Sequence, residues 1–127
     1  MELEVYSEDF TVCKPVTVSD VDLTKGFFFL CRTTDELSLV CPTDDVPDDV
    51  SDREDGWGCF RISGQLDFSL IGIIYRISGI LADKGIGIFV VSTFDTDYVL
   101  VKKENLESAI DALKDGGYSI VRTKMKK

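Results

Sequence analysis

Residues Gly64–Val101 read GQLDFSLIGIIYRISGILADKGIGIFVVSTFDTDYVLV. Within this run apolar residues fall at Leu70, Ile73, Ile74, Ile77, Ile80 and Leu81. Spacings of three and four put them on one side of a 3.6-residue turn, so Leu70–Lys84 is expected to be an amphipathic helix. Gly85 stands where a left-handed C-terminal cap is wanted. The period then changes. Ile86–Thr93 is short, apolar and β-branched, as a central strand is, and Tyr98–Lys102 pairs with it through the turn Phe94–Asp97.

On the N-terminal side, Trp57–Ser63 alternates large apolar and polar residues like a half-buried strand, and Gly64 closes it. On the C-terminal side, Glu104–Asp115 returns to helical spacing at Leu106, Ala109, Ile110 and Leu113. Gly116–Gly117 ends that helix, and Tyr118–Thr123 is the last strand. The order is β-α-β-β-α-β, the split βαβ or ferredoxin-like unit of the α+β class.

The first half is less regular. Phe10–Val16, Phe27–Thr33 and Glu36–Cys41 read as strands, with room only for a turn or two of helix near Ser19–Leu23. Pro42–Gly56, dense in Asp, Pro and Gly, reads as an exposed acidic connection. Phe28–Val40 can be laid over Phe89–Val101 without a gap, which points to an internal duplication. The expected architecture is therefore two ferredoxin-like units, 1–55 and 56–127, the first degenerate with a shortened first helix.

Composition narrows the function. A chain of 127 residues buries enough surface to fold without disulfides or metals. Its net charge of -9 opposes nucleic acid and anionic membranes, both of which require basic surface. MELEVYSEDF has no basic leader before an apolar run, so no secretory signal is expected. No stretch reaches the roughly 18–20 apolar residues of a membrane span, and a cytoplasmic address follows by default. Cys13, Cys31, Cys41 and Cys59 form no C-x-x-C pair, and histidine is absent. They read as reduced thiols on strands; no metal or cofactor is expected.

Two turns carry candidate chemistry. In Gln65–Ser69, Asp67 and Ser69 suit a helix N-cap, and the N–H groups of Ser69 to Gly72 are placed to receive a ligand carboxylate. Gly72, costing about 1 kcal/mol inside a helix, is read as serving a close approach. In Ser92–Asp97, Asp95 and Asp97 can accept from an ammonium or guanidinium, and the hydroxyls of Ser92, Thr93 and Thr96 act as flexible partners. Plain capping and a polar β-turn account for the same residues without any ligand.

The run from Leu66 to Val121 resembles the small ACT-domain proteins of the CASTOR-related class and, more distantly, the regulatory ACT domains of aspartate kinases. The likeness rests on D-F-S-L-x-G at Asp67–Gly72, L-A-x-x-G-I at Leu81–Ile86 and S-T-F-D-T-D-Y at Ser92–Tyr98. Arg32–Pro42 resembles the first, degenerate half of that class. The resemblance implies tandem ACT-like halves, often dimerised again, that bind an amino acid between units and switch a partner without catalysis. By motif position the ligand contacts carry over to Asp67, Phe68, Ser69, Leu70 and Gly72, with Ser92, Thr93, Thr96 and Asp97 opposite. The chain departs from aspartate kinases in showing no kinase domain, and from full arginine sensors in having one pair of units, not two.

Other classes fit poorly. Without histidine, no Ser or Cys has an evident base nearby, so an enzyme is not expected. An RNA-recognition module lacks its basic aromatic run, and a copper chaperone lacks its C-x-x-C. The remaining alternative is a ligand-free ACT-like dimerisation or protein-docking module.

Overall fold

The computed structural model describes residues 1–63 and 72–125. In order they form β1 (Glu2–Tyr6), β2 (Phe10–Pro15), β3 (Phe29–Arg32), β4 (Leu37–Pro42), β5 (Val50–Ile62), α1 (Ile73–Asp83), β6 (Phe89–Ser92), β7 (Asp97–Lys102), α2 (Leu106–Asp115) and β8 (Ser119–Thr123). This is the expected α+β arrangement. Three short 3-10 turns, at Val18–Asp20, Thr43–Asp45 and Lys103–Asn105, complete it.

Strand β5 is the spine of both halves. Its first part pairs antiparallel with β2, which leads on to β4 and β3. Its second part pairs with β1 on the same edge and with β7 on the other; β7 in turn carries β6. Between Phe10↔Trp57 and Val12↔Glu54 the register slips by one residue, and Gly56 lies in the slip at φ 82°. That positive φ, which only glycine adopts freely, makes a bulge between the part of β5 that pairs with β2 and the part that pairs with β1 and β7.

Two features depart from the sequence reading. The first is β1, which slides between β5 and β8, antiparallel to one and parallel to the other. The second is the stretch Val50–Gly56, expected as an exposed connection, which is the first half of β5. Ser51–Asp55 are all exposed, as their composition demands, yet their backbone pairs with β2. Cross-strand chemistry holds them there. Asp55 accepts from the Thr11 hydroxyl at 2.6 Å and from Arg53 at 2.9 Å, bonds that hold its carboxyl below the ordinary range, Thr11 contributing most.

The helices cover one sheet face. Leu3, Val5, Phe60, Ile62, Val99 and Val101 meet Ile73, Ile77 and Leu81 of α1 and Leu106, Ala109, Ile110 and Leu113 of α2. Each large side chain so buried contributes about 1.5–3 kcal/mol. Both helices end in a Schellman motif: Ile86 N–H bonds Leu81 C=O and Gly85 N–H bonds Ala82 C=O, as Tyr118 does to Leu113 and Gly117 to Lys114. Gly85 and Gly117 hold the left-handed position at φ 71° and 99°.

The other face is covered by the N-terminal strands. Phe27 sits with its ring centroid 5.7 Å from Tyr6, 5.7 Å from Phe10, 5.2 Å from Phe29 and 5.6 Å from Tyr98. Strand alternation sends the neighbours Phe28 and Leu30 to the outer surface of that layer, against Cys13, Leu39 and Cys41. Where the C-terminal half has helices, the described residues on this outer surface are 3-10 turns and loops, in keeping with a shortened first helix. All four cysteines lie on strands without bridges; burial pushes the Cys41 thiol up to about 12.

Two turns share one bond pattern, at a register one residue away from the gapless overlay. The turn Thr33–Glu36 repeats as Thr93–Thr96: Thr33 N–H bonds Glu36 C=O at 3.0 Å, and Thr93 N–H bonds Thr96 C=O at 2.8 Å. Val40 then corresponds to Leu100, and both lie in the central aromatic layer. The gapless overlay of Phe28 on Phe89 sets Leu39 on Leu100 instead, residues that face opposite layers. A one-residue slip reverses every strand face, so strand facing matches Thr33 with Thr93 and not with Phe94.

Candidate functional site

The turn between β6 and β7 separates its four candidate residues into two roles. Thr93 and Thr96 build the corner. The Thr93 hydroxyl donates to the Thr96 carbonyl at 3.0 Å and accepts from the Thr96 N–H at 3.3 Å. Thr96 is only 4% exposed, and its hydroxyl donates to the Ile62 carbonyl at 2.9 Å. That bond fastens the turn to the end of β5, one residue before Ser63. Ser92, like Thr93, is exposed, and Asp97 is half-buried. The Ser92 hydroxyl donates to Oδ1 of Asp97 at 2.5 Å, orienting a half-buried carboxylate. Phe94 and Asp95 are exposed on the same turn.

Gly72 is the other described member of the candidate set. The sequence reading put it inside the helix, serving a close approach. The structure places it at the N-cap, with φ 84° and ψ 9°, and nothing lies within 4 Å of where a Cβ would stand. Glycine is required there by the left-handed backbone. Its carbonyl accepts the first helical bond, from Arg76 N–H at 3.0 Å. Among the described residues, α1 has no side-chain cap and no acidic residue in its first turn. The leading N–H groups of a helix have no partner within it and carry partial positive charge, so this end favours an anion. Asp67, Phe68, Ser69 and Leu70 lie outside the described residues.

The structure also shows a feature that sequence reasoning missed. A cleft of about 450 Å³ is lined by Glu8, Lys25, Phe27, Asp44, Asp45 and Met125 among others. A second hollow of about 330 Å³ shares Phe27 and Met125. Lys25 pairs with Asp45 at 3.7 Å, and both oxygens of Glu8 accept the Met125 N–H at 3.2 Å. Its lining comes from four distant segments, so no local motif announces it. Among the described residues no group of His, Cys, Asp and Glu is arranged to hold a metal ion.

This fold and corner define a class. The ACT domain family model matches residues 52–115, and the chain belongs to the ACT domain family. Protein Atu0741 from Agobacterium tumefaciens superposes with a TM-score of 0.83 at 34% identity, covering 99% of this chain and 96% of that one. The human cytosolic arginine sensor for mTORC1 subunit 1 is 40% identical over 58 residues, which is 45% of this chain and 18% of that protein. The chain thus spans under a fifth of the length of the curated relatives it matches. The ligand-free regulatory subunit of aspartate kinase from Thermus thermophilus shares the fold, with a TM-score of 0.61 at 10% identity, covering 92% of this chain and 97% of that one.

Proposed function

We propose that this chain is a non-catalytic regulatory module of the cytoplasm. Its two ACT-like units, 1–55 and 56–127, the first lending β1 to the second's sheet, bind a free amino acid and report it to a partner protein or through their own assembly. One observation carries the reading: β5 and β6 both run antiparallel to β7, so the strand end that leads toward α1 and the β6–β7 turn fall at one end of the sheet. Helix α1 opens with N–H groups that have no side-chain cap among the described residues. The Ser92–Asp97 pair offers an oriented carboxylate on a turn bonded to the end of β5. A zwitterion satisfies both. Its carboxylate takes the N–H groups from Ser69 through Gly72 into the first turn, and its ammonium takes Asp97 with Asp67. Phe68 and Leu70 enter the reading as ligand contacts on motif resemblance alone. The arginine sensor, 40% identical over the matched segment, supports the ligand class.

Assembly enters the same reading. Among the described residues strand β6 pairs only with β7, and its outer edge, which ends at Ser92, is offered to a second copy. A homodimer formed there brings a second surface to the ligand corner. A ligand shifts such an assembly only by its differential affinity for the two states.

A thermal-shift screen of the proteinogenic amino acids tests the proposal. Ligand at about 100 times its Kd adds roughly 2.7 kcal/mol, a shift of several degrees for a domain of this size. At least one amino acid is expected to raise Tm, and Asp97→Ala to remove that rise with the fold intact. No shift with any of them at millimolar concentration contradicts the reading and leaves a ligand-free docking module.

A further inference from the structure

The cleft of about 450 Å³ has no part in the amino-acid reading: its lining includes neither the head of α1 nor the Ser92–Asp97 turn. Its size suits a small molecule, whose sites run to roughly 300–1,000 Å³. Phe27 and Met125 give it apolar wall, while Glu8, Asp44, Asp45 and Lys25 give it charge. Those charges do not balance. Lys25 answers Asp45 at 3.7 Å. Lys103 turns to Asp9 at 3.0 Å and to the backbone carbonyl of Glu8 at 3.4 Å, not to the Glu8 carboxylate. That carboxylate is half-buried and makes no ion pair among the described residues; its donor is the Met125 N–H, 3.2 Å from each oxygen. A carboxylate has acceptor sites for about four bonds, so Glu8 keeps capacity to spare. Asp44 is exposed, with no side-chain partner among the described residues. A charge partly withdrawn from water without a counter-charge favours a cation as ligand.

The shape of that cation follows from two further facts. Among the described residues no three acidic groups converge to hold a metal ion, so the negative charge is spread, which suits an elongated cation better than a point charge. The one cation in the lining, Lys25, is already paired, so the cleft offers nothing to a ligand carboxylate. We propose that the cleft is a second ligand site, for an aliphatic di- or polyamine that carries no carboxylate. Its ammonium groups pair with Glu8 and Asp44, and its methylene chain lies on Phe27 and Met125. This site stands or falls apart from the amino-acid corner.

Isothermal titration of spermidine into the full chain, at an ionic strength of about 0.15 M, tests it. The wild-type protein is expected to give a saturable isotherm with one site per chain. Glu8→Gln keeps an acceptor for the Met125 N–H and removes the charge; Asp44→Asn removes a charge that nothing in the fold uses. Each is expected to weaken spermidine about tenfold, the worth of one charge-assisted hydrogen bond. Asp44→Asn carries the test alone if Glu8→Gln does not fold. Asp48→Asn makes the same charge change at an exposed position outside the cleft and is expected to stay within about twofold of wild type. Heat that never saturates, or an equal loss in Asp48→Asn, marks diffuse attraction to an acidic chain and overturns the inference. Tighter binding of Nα-acetyl-lysine N-methylamide than of spermidine overturns it too, since the cleft would then take a basic side chain of another protein.

Discussion

The rings of Phe29 and Tyr98 stand 5.0 Å apart between centroids, although their strands, β3 and β7, share no hydrogen bond. The two lie at remote points of the strand order, so this contact exists only because the N-terminal strands fold across the open face of the C-terminal unit. Phe27, which touches both, is the hinge of that packing. Phe27→Ala is expected to cost about 2–4 kcal/mol, somewhat below a fully buried Phe→Ala because the ring is half-buried. Urea unfolding followed by the fluorescence of the single tryptophan, Trp57, reads it directly. A cost under about 0.5 kcal/mol, the level of an ordinary surface substitution, contradicts a shared core.

Thiol reactivity follows from the same layering. Cys31 is exposed on β3, whereas Cys13, Cys41 and Cys59 are buried. Iodoacetamide at neutral pH is expected to modify Cys31 alone in the native protein and all four after denaturation, as mass spectrometry would count. Prompt modification of Cys59, which sits wholly inside the aromatic layer, contradicts the arrangement.

Alkaline pH is expected to destabilise the fold. Burial raises the Cys41 thiol from 9.0 to about 12 and also raises Cys13, Cys59 and Tyr6. A raised folded-state pKa means the folded chain holds its proton more tightly than the unfolded one. That contribution is whole below pH 9 and is lost as pH rises toward about 12. Tm measured from pH 7 to 11 is expected to fall above about 9, less steeply in Cys41→Ala than in wild type. Identical slopes in the two proteins contradict the assignment to Cys41.

Glycine is required at the helix ends by backbone geometry alone. Gly85→Ala and Gly117→Ala are each expected to cost about 1–2 kcal/mol, since both positions are left-handed. Gly79→Ala, on the exposed side of α1 with open space around it, is expected to stabilise slightly. Chemical denaturation of the three variants distinguishes the cases.

These elements also mark what sequence can and cannot reveal. Helices α1 and α2 were legible because their burial follows a local period, and Gly85 and Gly116–Gly117 closed them visibly. Strand β1 was not, since Leu3 and Val5 are only two apolar positions and its partners β5 and β8 lie far along the chain. Val50–Gly56 looked like a loop because its side chains face solvent while its backbone satisfies β2. At the candidate site, the polar turn Ser92–Asp97 was recognisable by residue type. The bonds within it were not: Thr93 and Thr96 close the turn, Thr96 also reaches Ile62, and Ser92 orients Asp97. Ile62 is a partner no local window contains.

Backbone amide chemical shifts tested during titration with the best-binding amino acid probe the central claim most directly. The account predicts that the largest perturbations cluster at Ile73, Ile74 and Tyr75 at the head of α1 and at Ser92 and Asp97 on the turn. Perturbations centred instead on the cleft around Phe27 and Asp44, with the α1 head and the turn unmoved, would contradict it.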